Sequence, residues 1–309
     1  LAPHQNTQDY FNKVGDDYAY PFANTVQYFA DDEYTFANLE CTFSDRSLSP
    51  VGYPTFYFRA PTSYVNILLE GGVDFVTTAN NHLNDFGDKG VEDTYATLDN
   101  AGLPYGKVGQ AQVVTTKNGI KIGVYCGFNI NDGYFVPTTD ECVNAINQMK
   151  ADGAEYIVMA FHWGKELYYK PTQKMIDLAQ ACIDAGADLI YGTHPHVLGP
   201  IVEYNGGIIM YSVGNWSFGG NTQPTDQDTA IIQVTIKRDV DGSITTEGYD
   251  AIPCCVSSNM SGGVGYNDYK PTPYPEDNEG YKRVLSKLDM NSGWENANKD
   301  YSAWYSAWG

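Results

Sequence analysis

Along the first two-thirds of the chain, short continuous apolar runs alternate with stretches of helical spacing. Residues 34–37, 73–78, 120–126, 156–161 and 188–191 are apolar runs too short for helices, and they read as strands. Between them, apolar positions recur every three to four residues, which predicts helices over 20–29, 61–69, 89–100, 139–149 and 171–185. Tyr20-Pro21-Phe22 and Pro61-Thr62-Ser63 are start signals, while Gly71-Gly72, Ala101-Gly102 and Gly186 are stops. From Ile201 the period changes to two. Residues 201–204, 207–212, 229–237 and 243–249 read as further strands, with turns at Asn205-Gly206 and Asp241-Gly242. Beyond Pro253 the chain is rich in Gly, Asn, Pro and Tyr, with one helix expected at 279–288 and an aromatic tail from Trp304 to Trp308. The pattern predicts an α/β core over residues 1–250 and an extension over 251–309 packed on it.

Composition narrows the function classes. The 309 residues include 18 basic and 38 acidic side chains, a net charge of −20. Such a surface repels nucleic acid, whose phosphates require a basic footprint. An anionic polymer is repelled too, unless bound cations or a local basic pocket offset the field. No apolar run approaches the roughly 20 residues that span a bilayer. Leu1 is not an initiator Met and no secretory signal pattern follows it, so the chain reads as a processed or trimmed soluble portion. Its 25 tyrosines fit an extracytoplasmic surface. The six cysteines form no paired CxxC zinc pattern, leaving buried thiols or one or two disulfides as readings.

Four of the five histidines stand where strands should end, the side on which open α/β sheets bind ligands. His82 closes Ala79-Asn80-Asn81-His82, His162 opens His162-Trp163-Gly164, and His194 and His196 flank Pro195. Asn38-Leu39-Glu40 adds an amide and a carboxylate after another strand. Imidazoles converging with such oxygen ligands suit Mn, Fe or Zn better than an all-oxygen calcium cage. Arg59, at a helix start, is a candidate clamp for a carboxylate or phosphate, and a surface ion pair is its alternative. Asn215 either lines the site or satisfies the turn at Gly214.

Five co-linear motifs then carry a family resemblance: Asn38-Leu39-Glu40; Asn80-Asn81-His82 with Asp85 and Gly87; His162-Trp163-Gly164 with Glu166; Gly192-Thr193-His194-Pro195-His196; and Tyr211-Ser212-Val213-Gly214-Asn215. Together, from about Tyr20 to Phe218, they resemble the CapA-type capsule-synthesis proteins of bacterial poly-γ-glutamate production. That family looks like a branch of the calcineurin-type metallophosphoesterases, which implies a β-sandwich flanked by helices. The resemblance assigns Asn81, His162, His194 and His196 as metal ligands and Glu40, more loosely, as the bridging carboxylate. It puts His82 beside the substrate. Asp85 and Glu166 are candidates to orient the histidines, with a turn or cap role as the alternative for Asp85. One motif departs from the superfamily, because no apolar strand ending in Gly-Asp precedes Tyr20. The expectation is that Leu1-Ala2 stands just after that motif. One metal site (Glu40, Asn81, His162, His194) then forms here, while a second retains only His196 and the bridge.

The function this implies is a cell-envelope protein of poly-γ-glutamate capsule synthesis. Its expected chemistry is metal-dependent hydrolysis or transfer, with a metal-bound hydroxide attacking a phosphoester or a γ-glutamyl amide. One or two divalent transition-metal ions (Mn, Fe or Zn) are the expected cofactors. Expected partners are poly-γ-glutamate or another envelope polymer or precursor and membrane capsule-synthesis subunits, with no nucleic acid. The expected location is extracytoplasmic, anchored through a segment upstream of Leu1. A non-catalytic accessory protein for polymer assembly or export is the alternative, and an envelope carbohydrate-binding module, suggested by the aromatic residues, is a third reading.

Overall fold

The structure, a computed structural model, describes residues 8–52, 56–130, 137–220, 222–224, 226–261 and 266–294. The chain opens with α1 (Gln8–Val14), β1 (Phe36–Asn38), β2 (Thr42–Phe43), β3 (Arg59–Ala60) and α2 (Val65–Glu70). It continues through β4 (Phe75–Thr77), α3 (Gly87–Ala101), β5 (Tyr105–Gly106), β6 (Ala111–Thr115) and β7 (Lys121–Ile130). Then follow α4 (Thr139–Ala151), β8 (Tyr156–Gly164), α5 (Gln173–Asp184) and β9 (Leu189–Thr193). The last third holds β10 (Ile201–Tyr204), β11 (Gly207–Met210), β12 (Asp228–Arg238), β13 (Ile244–Cys255), β14 (Thr272–Pro273) and α6 (Glu279–Leu288).

A six-stranded sheet in the order β10-β11-β9-β8-β7-β6 forms the centre. Its inner strands β7, β8, β9 and β11 are parallel, while β6 and β10 close the two edges antiparallel. Successive side chains of a strand point to opposite faces, so each inner strand must be apolar throughout. Tyr125, Ile157, Met159, Phe161, Ile190 and Ile209 pack one face on α4 and α5 through Ile146, Met149 and Cys182. The other face presents Ile122, Val124, Val158, Leu189 and Met210 to a second layer. That layer contains the parallel sheet β1-β4-β5 and the antiparallel sheet β12-β13-β14. Behind β4, Val76 meets Ile67 and Leu68 of α2 and Leu98 of α3. The result is the expected β-sandwich flanked by helices.

Several local expectations change. Residues 20–29 form two short 3-10 turns, Tyr20–Phe22 and Val26–Tyr28, instead of one helix. Neither turn has a side chain bonded across its N-terminus, which leaves its amides without the cap that would favour extension. α1 and the edge strand β6 carry weak periodic signals and add to the elements that pattern predicts. Residue 250, the expected end of the core, lies inside β13. The aromatic segment 304–308 lies outside the described residues. All six cysteines are buried free thiols, and among the described residues no helix is long and apolar enough to cross a membrane.

A buried ionic cluster fastens α6 to the start of β12. Lys287, only 3% exposed, bonds Asp226 Oδ1 at 2.7 Å and Asp228 Oδ2 at 2.5 Å. Arg283 grips the two oxygens of Asp228 at 2.6 Å each, and Tyr274 and Tyr169 donate to Asp228 and Asp226. Burial alone would raise the Asp228 carboxyl, but Arg283 and Lys287 hold it below its usual range. A depressed carboxyl stabilises the fold above its unfolded value of about 3.8, and that contribution is lost as pH falls through the lower folded value. Replacing Lys287 by Met removes one partner of a buried pair, which costs about 3–5 kcal/mol. Urea unfolding of Lys287→Met at neutral pH should show a loss of that size, and an unchanged midpoint would refute the role.

Candidate metal centre

The donors come from loops that follow parallel strands. β1 runs into Asn38-Leu39-Glu40, and Asn38 Nδ2 donates to Glu40 Oε2 at 2.9 Å, which fixes the carboxylate. β4 leads to Asn80, whose amide donates to Asn38 Oδ1 (3.1 Å) and to the Leu39 carbonyl (2.8 Å), tying the two loops together. Asn80 Oδ1 also accepts from the His82 backbone at 3.1 Å. His162 leaves β8 with Nδ1 bonded to Thr193 Oγ1 at 2.9 Å and Nε2 bonded to Asn81 Oδ1 at 2.8 Å. His196 is oriented by Asn215, whose Oδ1 lies 2.8 Å from Nδ1 and whose amide donates to the His196 carbonyl.

These loops converge on one point. Glu40 Oε1 lies 3.7 Å from His162 Nε2 and 3.6 Å from His196 Nε2. Ligand atoms of Glu40, His162 and His194 all lie within 4.8 Å of one another, and so do those of Glu166, His194 and His196. Glu40 Oε1 and His194 Nδ1 are buried without a hydrogen-bond partner. An unsatisfied buried polar atom costs about 1–3 kcal/mol, so two such atoms on residues of one ligand group fit a bound cation. The donor set of nitrogens and carboxylate oxygens fits a divalent transition metal.

Electrostatics agree with that use. Burial, then the neighbouring rings His194, His196 and His82, push the His162 imidazole well below its usual value. Burial, then His196 and His82, do the same for His194. Both rings are therefore neutral at physiological pH, as a metal ligand must be. His82 goes the other way. Burial opposes its charge, but the hydrogen bond and charge of Asp85, with Glu40 and Glu166 behind them, raise it. Asp85 Oδ2 sits 2.9 Å from His82 Nδ1 and also accepts from the Phe58 backbone at 2.6 Å. The Phe58 ring covers the imidazole at 4.1 Å between centroids.

The structure thus gathers Glu40, Asn81, His162, His194, His196 and Glu166, with Asp85 on His82 and Asn215 on His196. Arg59 is engaged elsewhere: its Nη1 donates to the Arg46 carbonyl at 2.9 Å, and its guanidinium lies over Phe86. Pattern reading gives no role to Thr193 or to Phe218, whose ring stacks on His196 at 5.3 Å. Thr193 stands just before His194-Pro195-His196, and its β9 register opposite His162 is the signal that would have found it.

A cavity of about 600 Å³ leads from Glu40, His194 and His196 into the sandwich. On the six-stranded sheet alternate residues line it (Tyr156 and Val158; Leu189, Tyr191 and Thr193), so that sheet presents a face. On β1 and β12 consecutive residues line it (Phe36, Ala37 and Asn38; Ala230, Ile231 and Ile232), so those strands present their edges. The volume falls within the range of ligand pockets.

Thr193→Val keeps the shape of β9 and deletes the hydroxyl that fixes the His162 ring. Losing such a support costs roughly 10–100-fold in metal affinity. Calorimetric titration with Zn²⁺ should show that loss with the thermal stability of the metal-free chain unchanged, whereas equal affinity would remove Thr193 from the centre.

Comparison with known proteins places the chain in a family. The family model described as bacterial capsule synthesis protein PGA_cap matches residues 1–219. The capsule biosynthesis protein CapA of Bacillus anthracis is 29% identical over 255 residues, 75% of this chain and 61% of that protein. The PGA biosynthesis protein CapA of Bacillus subtilis (strain 168) is 28% identical over 249 residues, with the same two coverages. The matched region thus spans about three-fifths of these relatives' length. A solved structure of a hypothetical protein from Thermus thermophilus shares the fold at a TM-score of 0.50 and 15% identity, covering 77% of this chain and 95% of that one. With the family model covering well over half of its length, the chain belongs to the bacterial capsule synthesis protein family PGA_cap.

Proposed function

We propose that this chain is a metal-dependent hydrolase or transferase of bacterial capsule synthesis, located in the cell envelope and acting on a phosphoester or a γ-glutamyl amide of an envelope polymer or its precursor. The observation that carries the reading is the pair of unsatisfied buried donors, Glu40 Oε1 and His194 Nδ1, at the meeting point of neutral imidazoles. Glu40, Asn81, His162 and His194 would hold the ion. When bound, a divalent metal acts as a Lewis acid that activates water and neutralises charge on the attacked group.

The chain's own residues supply the rest. Asp85 occupies His82 Nδ1, which leaves Nε2 as the ring's face toward a substrate. Against the opposing effect of burial, Asp85 raises His82, which favours the protonated ring that a general acid at a leaving oxygen or nitrogen requires. Phe58 covers its ring and excludes water from it. Asn215 and Phe218 fix His196 from the side and from its face. A net charge of −20 leaves the bound cations to attract an anionic substrate against the general field.

That same charge is the observation favouring a second reading, a non-catalytic accessory role in which the ion only holds the loops together. One experiment separates them. The chain loaded with Mn²⁺, Fe²⁺ or Zn²⁺ is assayed on bis(p-nitrophenyl) phosphate and on poly-γ-glutamate. The enzyme reading expects turnover of at least one, with His82→Ala lowering kcat by roughly 10²–10⁴-fold at unchanged metal content and His194→Ala losing metal and turnover together. Metal bound without turnover of either substrate supports the accessory role, and absence of bound metal sinks both.

A further inference from the structure

The carboxylate of Glu166 has a second use in this fold. Its atoms and those of His194 and His196 come within 4.8 Å of one another, a grouping distinct from Glu40, His162 and His194. Backbone geometry explains why Glu166 is there. β8 ends at Gly164 with φ of +85°, and the chain reverses again at Leu167 with φ of +62°. Leu167 N then donates to the Pro195 carbonyl at 2.7 Å, so the 165–167 loop is fastened to the residue between the two histidines.

The opposite side of this contact is also strained. His194 and His196 hold φ of +98° and +57°, a region that costs a side chain-bearing residue about 1–3 kcal/mol each. Three of the five non-glycine residues with positive φ among the described residues therefore lie in two loops that touch. Independently, His194 is 5% exposed and its Nδ1 has no hydrogen-bond partner.

The geometry points to Glu166 as a ligand of a second divalent cation, held with His196 next to His194, beside the one that Glu40, Asn81, His162 and His194 would hold. Glu40 Oε1, 3.6 Å from His196 Nε2 and 3.7 Å from His162 Nε2, stands between the two positions. The assignment rests on the metal-centre reading above and deepens it. It gives the second position a carboxylate from the loop after β8, where the sequence alone left only His196 and the bridge.

Metal-stripped chain is dialysed against Mn²⁺, with content measured by mass spectrometry and the ions observed by electron paramagnetic resonance. The expected result is two Mn²⁺ per chain with a spin-coupled signal. Glu166→Ala and the isosteric Glu166→Gln should each bind one ion tightly and the second at least about tenfold more weakly, with loss of coupling, and Glu166→Asp should recover part of it. Thermal unfolding of the metal-free forms should coincide, which separates a lost ligand from a damaged fold. Two coupled ions at unchanged affinity in Glu166→Ala, or a single ion bound equally by wild type and variant, would overturn the assignment. A wild-type chain that takes up no Mn²⁺ or Zn²⁺ would defeat the metal-centre reading itself.

Discussion

Glu40 Oε1 is a carboxylate oxygen buried without a hydrogen-bond donor and set between two imidazole nitrogens at 3.6 Å and 3.7 Å. Left in that state, a buried oxygen without a partner costs about 1–3 kcal/mol, and a side chain with ordinary freedom would rotate it toward water. It does not move because Asn38 holds Oε2, Asn80 holds the Asn38 amide oxygen and the Leu39 carbonyl, and β1 and β4 are in register beneath them. The fold spends its most rigid part, the ends of parallel strands, on keeping one oxygen exposed to a point rather than to a partner.

Three of the four imidazoles are held through Nδ1. Thr193 steers His162, Asn215 steers His196, and Asp85 steers His82. A ring fixed through one nitrogen presents the other in a set direction, and so a support matters as much as a ligand. The opposite shifts of His82 and of His162 with His194 follow from this arrangement. A carboxylate against one ring favours its charge, while burial among other imidazoles disfavours it.

The packing that carries these loops is layered, and the extension takes part in it. α6 is anchored to Asp226 and Asp228 through Lys287 and Arg283 at the beginning of β12, and β12 lines the cavity that reaches the centre. The region after residue 250 is therefore mechanically continuous with the wall of the site, through β13 and its long antiparallel pairing with β12.

Periodicity made the inner strands, α3 to α6 and the order of the motifs legible, because a buried parallel strand must be apolar at every position and a packed helix at every third or fourth. Strand-end placement marked Glu40, Asn81, His162, His194 and His196 as candidate ligands, and the structure brings their loops together. What pattern could not reach was set by contacts distant in sequence. The 20–29 segment looks helical in isolation and is bent into two turns by its aromatic packing. Arg59 looks like an anion clamp and is used on loop carbonyls. Glu166 looks like a support for a histidine, and in the fold, where Leu167 bonds to Pro195, its carboxylate comes within 4.8 Å of ring nitrogens of His194 and His196. The chain alone thus determined which residues stand at the ends of strands. Which of their atoms face the same point was decided by long-range hydrogen bonds between loops, because a local pattern fixes a backbone and not the direction of a side chain at its end.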